Sequence, residues 1–262
     1  MALSQVEKAQ RFAALHNGPR AFVIPNPWDT GSAIAMAGLG FQALATSSAA
    51  AAMVLGRKDG QLSRDEAIAH AHAIVQATDL PVSADLENGF GPTPADAALT
   101  IRLAGEIGLM GGSIEDATGD AAKPIYDFAH SVERVAAAAE AARALPAPFI
   151  LVARTENFIR GVNDLDDTIR RLQAFEQAGA DVLFAPGLPS IDAVRMVCAA
   201  VKKPVNFMAG IKTKSFSVAE LEAVGVRRIS LATSLYRAAM AGMVAAATEV
   251  RDEGTFGYLN RL

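Results

Sequence analysis

Four carboxylates stand where alternating strands and helices could bring them together. Asp85 and Glu87 are two apart in the stretch 83–91, Asp59 follows a Thr46-Ser47-Ser48 step, and Glu115 ends an apolar run. Residues two apart in a strand share a face, here the mouth of the sheet. Converging carboxylates repel and raise one another's pKa values, a conflict that a divalent cation resolves. An all-oxygen set with no histidine or thiolate suits Mg²⁺ or Mn²⁺ better than zinc. For any single acid a helix cap or a lysine pair is the plainer use. Four of them on adjacent strand ends shift the balance towards a metal site.

Arg154 closes the apolar run 149–153. A guanidinium there offers a bidentate grip on a carboxylate or phosphonate, and a salt bridge to Glu115 or Glu156 is its alternative use. Thr46, Ser47 and Ser48 supply hydroxyls and backbone donors for a second carboxylate, or they cap a helix. Asn206 adds an amide from a later strand. Lys123 is the titratable candidate for closing over the site from a loop. Other chemistry is thin. His70 and His72, two apart on a helix, face different ways and make a poor metal pair. Cys198 sits in an apolar helix as a core thiol. Gly210 and Ser234 follow strands where many barrels bind phosphate, without a Gly-rich pair to support that role.

The elements that must position these residues are legible. Strand-forming runs recur at 22–25, 42–46, 81–86, 112–115, 149–154, 181–185, 204–208 and 227–231. Most are continuously apolar, as parallel strands covered on both faces should be. Helices lie between them. Ser63 with Glu66, Ser217 with Glu220, and Ser4 with Glu7 have capping-box spacing, and Thr93 precedes Pro94 at a helix start. Gly179 and Gly225 suit helix stops. The short apolar run 49–55 reads as a loop or a helix start, and the Ala-rich 136–142 predicts tight helix packing. Eight βα units in 262 residues predict a (β/α)₈ TIM barrel with an extra N-terminal helix, one domain over 1–262. A doubly wound sheet would want a Gly-rich turn after the first strand, and Asn26-Pro-Trp-Asp-Thr-Gly31 stands there instead.

At 51% hydrophobic and 20% charged, with net charge −4, the chain is too apolar for disorder and lacks the basic surface of a nucleic-acid binder. No apolar stretch is long enough to span a membrane, and no leader pattern opens the chain, so a cytoplasmic protein is expected. One cysteine excludes an intrachain disulfide.

Taken together, the stretches 55–59, 83–91, 114–116, 152–155, 178–184 and 204–206 resemble the isocitrate lyase/phosphoenolpyruvate mutase superfamily over nearly the whole chain. The resemblance implies a Mg²⁺-dependent enzyme that makes or breaks C–C or P–C bonds beside a 2-oxo acid. It implies Asp85 as the direct metal ligand, with Asp59, Glu87 and Glu115 acting through waters. It matches Thr46, Ser47 and Ser48 to the substrate-binding serine and its following donors, and Arg154 to the family's strand arginine. Isocitrate and 2-methylisocitrate lyases carry a Lys-(Lys/Arg)-Cys-Gly-His motif after the fourth strand. Here 115–124 holds neither Cys nor His, which points away from those two activities. The phosphonate-cleaving members' Asn-containing gate is missing as well, and Ala185-Pro186-Gly187 replaces a Pro-Glu pair. The expected function is C–C cleavage of an oxaloacetate-like or 2-hydroxy dicarboxylate through an enolate. The alternatives are a phosphonomutase or phosphonopyruvate hydrolase, and a 2-oxo-acid-binding protein with little turnover. The final helix, about 234–253, is apolar on more than one face. With the resemblance, that implies a helix exchanged between subunits of a homotetramer, a dimer of dimers.

Overall fold

The computed structural model describes residues 3–211 and 216–261. Its first half comprises α1 (Gln5–Asn17), β1 (Phe22–Ile24), α2 (Thr30–Gly38), β2 (Leu44–Ala45), α3 (Ser48–Val54), α4 (Arg64–Gln76), β3 (Val82–Asp85), α5 (Pro94–Glu106) and β4 (Gly111–Glu115). Then come α6 (Phe128–Arg143), β5 (Ile150–Arg154), α7 (Leu165–Ala178), β6 (Val182–Phe184), α8 (Ile191–Ala200), β7 (Val205–Met208), α9 (Val218–Ala223), β8 (Arg228–Ser230), α10 (Ser234–Glu253) and a 3₁₀ turn at Gly257–Arg261. The described strands are all parallel, in the order β1-β8-β7-β6-β5-β4-β3-β2. This is the expected TIM barrel with an additional N-terminal helix. The β1–β2 seam is bridged by Ala45 N donating to Pro25 O at 3.0 Å. Pro25 has no N–H to return, which helps to keep the seam from becoming a full ladder.

Local sequence explains the helix boundaries. Ser4, Ser63, Thr93 and Ser217 each accept from the backbone N–H three residues on, with the third-residue carboxylate reaching back. Gly179 ends α7 at φ 107°, a left-handed conformation that glycine adopts without strain. The run 49–55 is helical as α3, opened by Ser47 Oγ accepting from Ala50 N. The alanines of α6 allow the predicted close approach: Ala138, Ala139, Ala141 and Ala142 are all buried.

Two features frame the barrel interior. Phe12 of α1 is fully buried and packs with Phe22, Ile24, Ala43, Met110 and Ile150, so α1 plugs the end where the strands begin. At the other extreme α10 has no buried residue. Only its first turn meets the barrel closely, through Leu235 and through Tyr236 edge-on to Trp28. Met243 and Val244 are each 54% exposed. No helix among the described residues is long and apolar enough to cross a membrane.

Candidate active site

A cavity of about 970 Å³ opens at the C-terminal ends of the strands. All four predicted metal-site acids line it, together with Thr46, Ser47, Ser48, Arg154 and Asn206. Asp85 is the hub. Its Oδ2 accepts from Ser48 N at 3.2 Å and from Ser48 Oγ at 2.8 Å, and Ser48 Oγ also lies 3.1 Å from Asp59 Oδ1. One hydroxyl proton cannot serve two ionised carboxylates. Burial and then the charge on Asp85 raise the Asp59 carboxyl, against the lowering that the Ser48 contact supplies.

Glu87 reaches the cavity by a route that pleat alternation does not supply. β3 ends at Asp85, and Glu87 lies beyond it in left-handed backbone at φ 48°. A non-glycine residue held there carries local strain. The turn that follows is tight: a Cβ on Gly89, itself at φ 82°, would stand 2.9 Å from Ala97 Cα. Arg134 braces this loop from below, its guanidinium donating to the carbonyls of Asn88, Gly91 and Thr93. The strained turn buries Glu87 Oε1 without a partner. Burial, reinforced by Asp85 and Asp59, pushes the Glu87 carboxyl up to about 7.

Arg154 sits among acids. Its Nε donates to Glu156 Oε1 at 2.6 Å, and Nη1 lies 3.3 Å from Glu115 and 3.6 Å from Asp85. Burial alone would lower its pKa, but Glu115, Glu156 and Asp85 together raise it. Arg160 adds a second cation, 3.5 Å from Glu115 and 3.0 Å from Glu156. Even so, burial holds the Glu115 carboxyl well above the ordinary range. Five carboxyls, those of Asp59, Asp85, Glu87, Glu115 and Glu156, thus face two guanidiniums. Asp116, next in sequence, belongs to a separate buried network with Arg171 at 3.1 Å and Thr155 at 2.9 Å that anchors the β4 and β5 ends.

The acid surplus and the orphaned Glu87 oxygen fit a divalent cation. Among the described residues no three histidine, cysteine or acidic side chains form a closed ligand set. A cation that keeps its own waters could be shared by Asp85, Asp59, Glu87 and Glu115, all of which line the cavity. Mg²⁺ and Mn²⁺ accept such an arrangement, since they retain several waters on few carboxylates.

The hydroxyl step is partly engaged. Thr46 Oγ1 accepts from Asp85 N at 3.0 Å, which leaves its proton to donate. Ser47 is a cap, and both the N–H and the hydroxyl of Ser48 are turned to Asp85. Lys123 does not line the cavity: its Nζ is 2.8 Å from Asp127 Oδ2 on the outer side of the loop 116–127, with the side chain 59% exposed. Ser234 Oγ donates to Leu231 O, and His70 Nε2 bonds Trp28 O, so neither is aimed at a ligand. Burial pushes the Cys198 thiol up to about 11, as suits a packed side chain.

Three cavity-wall residues carried no signal that sequence patterns recognise. Asn26 ties β2 to β8 across the seam, donating to Thr46 O at 3.0 Å and accepting from Leu231 N at 2.8 Å. Arg160, four residues past Glu156, lies in a turn. Arg228 lines the cavity from deep in the barrel.

The model of the phosphoenolpyruvate phosphomutase family matches residues 12–251. A Burkholderia cenocepacia J2315 protein described only as a lyase or mutase has a crystal structure that superposes with TM-score 0.96, at 52% identity over 98% of this chain and 92% of that one. Oxaloacetate acetylhydrolase, solved with its product oxalate, superposes with TM-score 0.88 at 26% identity over 95% and 89%. The 2-methylisocitrate lyase of Bacillus subtilis (strain 168) is 30% identical over 90% of this chain and 79% of its own length.

Proposed function

Because the chain belongs to the phosphoenolpyruvate phosphomutase family, within the isocitrate lyase/phosphoenolpyruvate mutase superfamily, we propose that it is a Mg²⁺- or Mn²⁺-dependent cytoplasmic lyase or hydrolase. Its substrate is a small 2-oxo or 2-hydroxy dicarboxylate, cleaved at the C–C bond beside the oxygen-bearing carbon. The observation that carries this reading is the surplus of buried carboxyls around Asp85, with Glu87 Oε1 unsatisfied. Breaking that bond leaves its electron pair on the neighbouring carbon, alpha to the far carboxylate, while the oxygen-bearing carbon departs as a carbonyl; a bound cation would supply positive charge to the oxygens of that end.

The chain's own residues bind and orient. Asp85 anchors the cation end, and the Thr46 hydroxyl donates to the acid's carboxylate. Arg154, kept charged by its acidic neighbours, stabilises negative charge as it develops. Asn206 lines the wall below. Lys123 would act as acid or base only after the loop 116–127 folds inwards and releases Asp127.

Relatives include a 2-methylisocitrate lyase, and the loop after β4 speaks for a different activity, since it offers no thiol or imidazole to move a proton. A P–C bond reaction is the second reading, favoured by the family model that matches. One experiment separates these: an NMR product screen of 2-oxo and 2-hydroxy acids, 2-methylisocitrate and phosphonopyruvate, with Mg²⁺ and with EDTA. Pyruvate or oxalate released from a dicarboxylate only with Mg²⁺ supports the proposal. Phosphate from phosphonopyruvate selects the second reading. Turnover of 2-methylisocitrate overturns the argument from the loop. Tight Mg²⁺-dependent oxalate binding with no product from any acid would mark a binding protein.

The exposed apolar face of α10 is read as the surface that meets further copies of this chain in a homotetramer.

A further inference from the structure

Arg228 is a buried arginine with too few partners. Its Nη2 donates to Ser83 Oγ at 3.3 Å, while Nε and Nη1 have none. Three N–H groups are therefore unsatisfied. Among the described residues no carboxylate lies within ion-pair distance, and burial with nothing opposing it lowers the guanidinium to about 10. It remains charged at neutral pH. The remaining neighbours offer no compensation: the Phe12 ring centroid is 5.8 Å away, and His16 is held neutral, pushed down to about 3 by burial and by Arg228 itself.

This charge belongs to the same cavity as the acids, at its floor. Arg154 pairs in register with Phe184, Phe184 with Asn206, and Asn206 with Arg228. Strands of a barrel tilt by about 36°, so three steps of about 4.8 Å along that row descend about 8 Å towards the α1 plug. Ser83, which contacts Arg228, lies two residues below Asp85, about 7 Å along β3. Barrel interiors at this depth are ordinarily filled by branched apolar side chains. Here the wall carries Ser83, Asn206 and Arg228. Asn206 Oδ1 is also without a partner, and its amide donates to Ser230 Oγ at 3.1 Å. Exchanging the amide's O and N lets Ser230 donate instead and frees the Asn206 N–H groups for another acceptor.

Resting on the proposed chemistry at the mouth, we propose that Arg228, Asn206 and Ser83 form an anion subsite at the cavity floor that receives the second carboxylate of the substrate. An acid of four or five carbons, chelated at the Asp85 end, has the length to place its far carboxylate there. The site is thereby specific for dicarboxylates over monocarboxylates. Arg154 does not need to supply that grip, because its charge is already shared among Glu115, Glu156 and Asp85.

Calorimetry with Mg²⁺ tests this through three probes: oxalate, 2-oxoglutarate and the monoacid 2-oxobutyrate. The wild type is expected to bind 2-oxoglutarate at least tenfold more tightly than 2-oxobutyrate. Asn206→Asp gives Arg228 an internal carboxylate and is expected to erase that preference, with oxalate affinity changed less than twofold. Arg228→Lys, which keeps the charge and loses the fork, is expected to retain part of it. A preference that survives in Asn206→Asp, or oxalate affinity that falls in parallel, overturns the subsite. A separate arm in EDTA asks whether succinate raises the Tm of the wild type and not of Asn206→Asp. If oxalate fails to bind with Mg²⁺ while succinate still protects, the mouth chemistry falls and the floor subsite stands. No succinate protection together with no 2-oxoglutarate preference ends the proposal.

Discussion

Arg154 and Arg228 line one cavity and are both buried, yet they live under opposite conditions. Around Arg154 the acids outnumber the cations, and burial holds the Glu87 and Glu115 carboxyls above the ordinary carboxylate range. Around Arg228 there is a cation and no acid. A buried charge unbalanced within the chain is a cost that folding alone does not explain. The mouth holds more acids than cations and the floor a cation with no acid, so on the proposals above a cation and a dianionic acid would complete the two ends. The barrel interior is polarised along its axis before any ligand arrives.

The largest test of this contrast removes the hub of the mouth. Asp85→Ala is expected to lower Mg²⁺-dependent oxalate affinity by more than the roughly 100-fold that losing an outer-sphere partner costs. Undiminished calorimetric binding would show that the cation is held elsewhere. Next comes a pair of stability measurements by urea unfolding. Arg154→Met strands Glu156 and Glu115 without their central guanidinium, a loss expected to be about 3–5 kcal/mol. Arg228→Met removes a charge that nothing in the chain balances, so stability is expected to hold or rise. Equal losses in the two variants would erase the distinction between mouth and floor.

A smaller effect follows from pH. The folded Glu87 carboxyl sits at about 7, above its ordinary 4.5. Between those values the folded chain holds a proton that the unfolded chain has released. Cation-free stability is therefore expected to fall as pH rises from about 4.5 to 7. A divalent cation displaces that proton, so its affinity is expected to rise by up to about tenfold per pH unit below about 7 and to flatten above it. Glu87→Gln is expected to make both profiles shallower, the raised Asp59 and Glu115 carboxyls keeping the remainder. A stability curve that climbs through this window in the cation-free wild type would contradict the assignment.

How much of this was legible in the sequence depends on what each feature rests upon. All eight strand runs overlap observed strands, because apolar runs between capped helices are local signals. The four acids were found from their places after those runs. Asp85 and Glu87 do meet at the cavity, through left-handed backbone at Glu87 rather than a shared strand face, and tertiary packing behind Gly89 sets that turn. Arg154 was legible as an anion grip or as an ion-pair partner, and the structure places it among three carboxylates. Arg228 was not legible. In Arg227-Arg228-Ile229-Ser230 two adjacent arginines leave open which one points inwards, and only the register with Asn206 decides it. A contact between residues 145 positions apart, such as Arg228 with Ser83, leaves no local pattern to read.

The outlying position of α10 has a thermodynamic consequence. A helix of 20 residues with no buried side chain contributes little to the cohesion of its own barrel. If its apolar face is covered by other copies, the free energy of that burial is linked to protein concentration by mass action. The Tm is then expected to climb as the protein is concentrated through the micromolar range. Light scattering at the same concentrations is expected to show species larger than the 27.3 kDa chain. A concentration-independent Tm with a monomer throughout would leave that face bare and the proposed assembly without its cement.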